Sequence, residues 1–168
     1  MRLRDALLCL AMAAALPGTV NACTAPNRPS SAELVHQADG IYRVRAVQYA
    51  MHRPPKPPVL PFMGPESHIS FRVLEVLKGP ARRNVDLAGV FTGKHDHQRD
   101  KVPYEWVRAS GESGGCYARE YLQGQEYLFI MKDGTAYWSP LSPTNEEVAG
   151  ASDPWVEWVR DKLHAPAT

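Results

Sequence analysis

Ile69, Ser70, Phe71, Arg72, Val73, Leu74, Glu75, Val76 and Leu77, closed by Lys78, Gly79 and Pro80, decide how the chain folds. β-branched and aromatic residues recur through this run with polar residues between them, and a glycine–proline pair stops it, which is the pattern of a half-buried strand. Upstream, residues 41–50 set Ile41, Arg43, Arg45 and Val47 opposite Tyr42, Val44 and Ala46, so a second strand is expected there. The two are separated by residues 51–65, where Pro54, Pro55, Pro57, Pro58, Pro61 and Pro65 remove the donors a ladder needs; this is a polyproline-like loop. Downstream, residues 85–91 read as a third strand. Residues 126–131 and 135–139 flank Lys132, Asp133 and Gly134 as two arms of a hairpin.

Helical signals stand only at the two ends of this block. Ser30 and Glu33 have capping-box spacing ahead of Leu34 and Val35, predicting a short helix that ends near Asp39 and Gly40. Asp153 caps a second helix with Pro154 at its first position, and Trp155, Trp158, Val159 and Leu163 share one face of it. That amphipathic spacing makes the tryptophans core residues rather than a ligand platform. Strands do not alternate with helices, so a parallel sheet is not expected. The expected fold is mainly β: a five-stranded, partly closed antiparallel barrel with a short N-terminal helix and a C-terminal helix covering it.

The N-terminus carries an export signal. Arg2 and Arg4 precede an unbroken apolar stretch over residues 6–16, Pro17 and Gly18 break it, and Val20 and Ala22 stand at −3 and −1 from a cut before Cys23. Residues 1–22 are therefore read as a signal peptide and residues 23–168 as one exported domain, periplasmic or extracellular. The cut also removes Cys9 and leaves an even pair, Cys23 and Cys116, in a compartment where disulfides persist. The two are expected to pair. The alternative is lipidation at Cys23, since residues 20–23 loosely resemble a lipoprotein signal.

Composition narrows the function classes. Cleavage takes two cations and one acid from totals of 19 and 18, leaving 17 of each, so no positive field exists to hold a nucleic-acid backbone. The apolar stretch at the start is too short for a bilayer span. Gly111, Ser113 and Gly115 match a GxSxG nucleophile pattern, but that motif needs a strand–turn–helix in a larger α/β sheet. No catalytic residue is assigned, and the protein is read as no enzyme. His95, Asp96 and His97 are the densest metal-capable cluster, with His52 or His68 as conceivable further ligands; no zinc spacing completes them. They are read as a solvated loop, without metal or cofactor.

With these residues in place the chain resembles the netrin-like modules, whose best-known members are the tissue inhibitors of metalloproteinases. Cys23 and Thr24 open the mature chain, a proline-bearing arm follows, residues 38–47 and 71–79 are similar to the family's first two strands, and Glu112, Ser113, Cys116 and Tyr117 are similar to its cysteine segment. The likeness spans residues 23–145 and implies an OB-fold-like barrel with Cys23 bonded to Cys116. It also implies a function: the freed α-amino group and carbonyl of Cys23 would chelate the zinc of a metalloprotease, with Thr24 in the neighbouring pocket. Cys23, Thr24, Ala25, Pro26, Glu112 and Ser113 would form the target-binding set. The chain departs from the inhibitors in having no cysteine over residues 24–115 and no second disulfide-rich domain. A non-inhibitory envelope or interaction module, with another extracytoplasmic protein as its partner, is therefore the alternative.

Overall fold

The computed structural model describes residues 27–50, 67–96, 101–112 and 116–165, with Glu112 by its backbone alone. The expected signal peptide, Cys23 to Pro26 and the proline-rich stretch 51–65 lie outside the described residues. Ser30 opens helix α1 (Ser31–Gln37) with a complete capping box: its Oγ accepts the Glu33 N–H at 3.3 Å, and the Glu33 carboxylate accepts the Ser30 N–H at 2.7 Å. The chain continues through β1 (Gly40–Tyr49), β2 (His68–Lys78), β3 (Asn84–Ala88), β4 (Val90–Thr92), α2 (Ala109–Glu112), β5 (Glu120–Leu122), β6 (Glu126–Met131), β7 (Asn145–Val148) and α3 (Pro154–His164). Among the described residues, no helix is long and apolar enough to cross a membrane.

β1 is the centre of a five-stranded antiparallel sheet in the order β3-β2-β1-β6-β7. Three register shifts along the β1–β2 ladder, between Ile41 and Tyr42, Arg43 and Val44, and Ala46 and Gln48, add local twist and curl the sheet. At the lower end of that ladder Gly79 sits at φ +88°, and a Cβ on it would meet the Asp39 carbonyl oxygen at 2.5 Å, so the turn after β2 needs glycine.

Each face of the sheet carries a buried apolar cluster. Tyr42, Val44, Ala46, Phe71, Tyr127 and Phe129 fill the concave side, whereas Ile41, Leu128 and Ile130 point to the other side and meet Leu34 and Val35 of α1 and Trp155, Val156 and Val159 of α3. Period two explains how β6 serves both cores: Tyr127, Phe129 and Met131 alternate with Leu128 and Ile130. α3 begins as its sequence requires, with Asp153 Oδ1 accepting the Trp155 N–H at 2.9 Å and Pro154 in the first turn.

Three expectations are corrected. The sheet does not close into a barrel; β3 and β7 remain its two edges. The segment ahead of β6 lies between them: it pairs with β4 in parallel over three residues, and the Asn145 side chain of β7 donates to its Ala118 O at 2.6 Å. The stretch 85–91 is not one strand, because the chain breaks at Gly89, where a Cβ would meet Arg119 O and Tyr121 Cε2 at 2.8 Å each. Residues 135–139 do not form a hairpin arm: the two-residue turn closes with a single bridge, Lys132 to Thr135, and the chain then leaves the sheet, with Tyr137 turned toward the concave core and Trp138 Nε1 donating to Ile130 O at 2.9 Å. β6 takes β7 as its outer neighbour instead.

Beyond the cover of α3, the convex face carries a chain of alternating charge. Arg45 and Arg43 each contact Glu126 at 2.6 Å, Arg43 contacts Glu75 at 3.0 Å, and Arg160 of α3 reaches Glu75 at 2.7 Å. Burial pushes the carboxyls of Glu75 and Glu126 up, but hydrogen bonds and charge from these arginines outweigh it and hold both below the usual carboxylate range. A carboxyl lowered in the folded state stabilises the fold above its unfolded pKa, and that contribution is lost as pH falls through the folded value. Urea midpoints are therefore expected to fall as pH drops below about 4.5, with a shallower acid limb in the Glu75→Gln, Glu126→Gln variant. An unchanged limb would remove these two groups from the account.

Candidate functional site

Two segments far apart in sequence meet on the backbone of Leu141. The Leu141 N–H donates to Cys116 O at 3.1 Å, and the Leu141 carbonyl accepts Arg28 Nη1 at 2.8 Å. Both Cys116, at φ +60°, and Leu141, at φ +53°, occupy the left-handed region, where a non-glycine residue costs about 1–2 kcal/mol. Strained backbone of this kind persists only where its surroundings hold it. The Arg28 guanidinium also lies 4.2 Å from the centroid of the Trp106 ring, which is 47% exposed. Beside them a groove of about 400 Å³ runs past Pro103, Trp106, Pro143, Trp158 and Lys162.

The Cys116 segment is held from below by a buried cation. Arg108 is completely buried at the start of the turn leading to α2; it donates to Glu120 O at 2.7 Å and Ala118 O at 3.2 Å, and its guanidinium faces the rings of Tyr121 and Tyr127 at 4.8 and 5.1 Å. Carbonyl oxygens and ring faces replace the water this charge gave up. Above it a side-chain relay ties the two sheet edges: Asn145 of β7 donates to the Tyr121 hydroxyl at 3.0 Å, Tyr121 and Tyr137 share a hydrogen bond, and Tyr137 donates to Ala88 O of β3 at 2.6 Å.

Burial raises all three hydroxyls against the opposing pull of Arg108; Tyr127 is pushed up to about 12, and Tyr121 and Tyr137 are also raised. A tyrosine whose folded pKa is raised contributes stability that is complete below its unfolded value near 10 and lost as pH climbs through the folded value. Phenolate absorbance from these three rings is therefore expected only together with unfolding, above about pH 10. Ionisation of Tyr121, Tyr127 and Tyr137 in a chain that keeps its native near-UV spectrum would contradict this.

Among the expected site residues, Cys23, Thr24, Ala25, Pro26 and Ser113 lie outside the described residues, and Glu112 ends α2. Cys116 is described and does not hold a free thiol. His95, whose side chain stays 57% exposed in the loop after β4, and Asp96 reach β7 and α2: His95 Nδ1 lies 2.6 Å from Glu147 Oε1, the Asp96 N–H donates to Glu147 Oε2 at 3.1 Å, and Asp96 Oδ2 accepts the Ser110 N–H at 2.9 Å. These contacts satisfy a buried carboxylate and fasten the chain after β4 across the sheet edge. His97 is outside the described residues, and among those residues no three metal-capable side chains converge. Gly111 of the GxSxG match packs where a Cβ would meet Val107 Cγ2 at 2.5 Å and Ala118 N at 2.7 Å, a close-approach role.

Arg28, Trp106, Arg108 and Leu141 escaped the sequence reading. The only prior hint was Cys116, toward which Leu141 and Arg28 converge. Comparison with known proteins adds no relative: no protein-family model, no curated protein and no solved structure matches the chain.

Proposed function

We propose that the mature chain is an exported, non-catalytic binding module of netrin-like, OB-related type, which presents an N-terminal arm beginning at Cys23 to a zinc metalloprotease. The observation that carries the reading is the convergence on Leu141. Arg28 follows Cys23 by five residues, a span of at most about 18 Å, and Arg28 and Cys116 both contact Leu141, one at its carbonyl and the other at its N–H. A segment of that length is long enough to bring Cys23 to Cys116, and in this reading a disulfide between them sets the start of the arm against the folded domain.

The chemistry follows from what a protease zinc leaves open. A catalytic zinc keeps one position for water or substrate, and a free α-amino group with the adjoining carbonyl oxygen displaces that water as a bidentate ligand. Thr24 then enters the neighbouring pocket, while Ala25, Pro26 and the segment containing Glu112 and Ser113 flank the cleft. Such a wedge inhibits only if its shape exists before binding, since ordering a loose segment costs a large part of the interface energy. A bonded Cys23 supplies that shape.

The experiment is a titration of zinc endopeptidases with the mature chain bearing its native N-terminus. Inhibition is expected, falling more than tenfold when one alanine precedes Cys23, with the urea midpoint unchanged. An acylated Cys23 in the exported protein, or inhibition indifferent to the added alanine, would overturn the protease reading and leave an anchored interaction module.

A further inference from the structure

We infer that the groove beside Trp106 is a docking site for an extended, acidic, proline-bearing peptide segment of another protein. This site and its occupant are separate from the zinc chemistry proposed for Cys23. A second cavity, of about 550 Å³, adjoins the groove of about 400 Å³ and shares Pro103, Glu105 and Trp106 with it. Trp106 therefore stands between two hollows. An occupant in contact with both passes over this ring, which suits a chain segment better than a compact molecule.

The walls are fixed without a ligand. Arg28 lies 4.2 Å from the Trp106 centroid and is itself held by Leu141 O at 2.8 Å, while Trp158 stacks on the buried Trp155 at 5.1 Å. Walls ordered in advance lower the entropy lost on binding. Trp106 nevertheless stays nearly half exposed, the largest of the exposed apolar side chains among the described residues. Trp138 uses its Nε1 on Ile130 O, whereas among the described residues neither Trp106 Nε1 nor Trp158 Nε1 donates a hydrogen bond. Two such donors match the carbonyl oxygens of an extended chain. A β-strand laid here would leave its own N–H groups unmatched, since the walls are side chains and not a sheet edge. A polyproline II segment has fewer N–H groups, keeps its backbone in water and sets flat pyrrolidine rings against the indoles.

Charge selects the sign of the occupant. Arg28, Lys101 and Lys162 line the two cavities against the single acid Glu105, three cations less one acid, a balance of +2. Arg28 is engaged by Leu141 and the indole. Lys101 and Lys162, one in each cavity, form no ion pair among the described residues, and Lys162 faces only the Trp158 ring, at 5.3 Å. Carboxylates on either side of the segment that crosses Trp106 meet both lysines. The same argument sets aside the chain's own proline-rich stretch, because residues 51–65 carry Arg53 and Lys56 and no acid.

The test is calorimetric titration of the oxidised mature chain with a capped synthetic peptide in which glutamate follows each pair of prolines. The same peptide with lysine for glutamate, and a capped peptide of residues 51–65, are titrated beside it. Saturable binding of the glutamate peptide is expected, weakening as salt is added. Trp106→Ala is expected to weaken it at least tenfold. Lys101→Gln with Lys162→Gln is expected to weaken it at least about threefold and to flatten the salt dependence. Absence of saturable binding, equal binding of the lysine peptide, or unchanged affinity in Trp106→Ala would overturn the proposal. Tighter binding of the 51–65 peptide would give the groove to the chain's own segment, and a dimer dispersed by Trp106→Ala in sedimentation equilibrium would give it to a second copy; either overturns the acidic partner. If Trp106→Ala fails to fold, the double lysine variant carries the decision. Binding of the glutamate peptide by a chain that inhibits no protease sustains the groove and removes the protease reading alone.

Discussion

Replacing Trp155 with alanine is expected to lower the unfolding free energy by about 3–5 kcal/mol, one of the largest losses available to a single side chain here. The ring is fully buried between Tyr104, stacked at 5.1 Å and 10°, and Trp158, stacked at 5.1 Å and 19°. It is the centre of the contact by which α3 covers the convex face, against Ile41, Leu128 and Ile130. Its Nε1 finds no hydrogen-bond partner among the described residues, so truncation removes packing and creates a cavity without breaking a polar contact. Phenylalanine at the same position discards that unsatisfied donor along with part of the ring, and is expected to cost far less than alanine. Urea denaturation of the two variants measures the order; a loss below about 1 kcal/mol for alanine would mean that α3 does not depend on this contact.

Cys116→Ser is expected to cost about 4–5 kcal/mol in the chain-entropy model, since the proposed bridge closes a loop of about 90 residues. Removal of native disulfides from small secreted domains spans about 2–5 kcal/mol, so a measured loss in that range fits. A stability effect alone does not identify the bridge, because Cys116 also sits in a left-handed conformation bonded to Leu141. The distinguishing result is the arm. Cys23→Ser leaves that backbone untouched and is expected to match Cys116→Ser in urea midpoint and in loss of protease inhibition. Two variants of clearly different stability would place the cost in the Cys116 turn and not in the bond.

The elements that were legible from residues alone are those whose period or cap is written locally. β2 and β1 alternate, the Ser30–Glu33 box and the Asp153–Pro154 pair each bring their partners within a few positions, and all four signals led to the observed elements. β7 gave no such signal. Asn145, Glu146, Glu147 and Val148 have three polar residues in a row and no alternation, yet all four are buried, with Glu147 satisfied by His95 and the Asp96 N–H, and Asn145 by Ala118 and Tyr121. Residues 135–139 misled in the opposite direction: their aromatic, β-favouring composition serves a core, with Tyr137 bound to Ala88 O and Trp138 to Ile130 O, and not a ladder.

Barrel closure was misjudged for a related reason. Counting strands says nothing about how edges are satisfied, and here the two edges are tied by Asn145, Tyr121 and Tyr137 side chains and by a short parallel pair. The site divides in the same way. Cys116 is visible in any count of cysteines, whereas Arg28, Trp106 and Leu141 carry no motif and acquire meaning only when the fold brings them together.

The central claim is that Cys23 is bonded to Cys116 and that this bond sets the arm. Peptide mapping of the exported protein, digested without reduction and compared with a reduced sample, tests it most directly. The account predicts one linked species joining a free N-terminal Cys23 peptide to the Cys116 peptide, which splits into the two on reduction. Recovery of Cys116 as a free thiol or bonded to Cys9, or of Cys23 carrying an acyl chain, would contradict it.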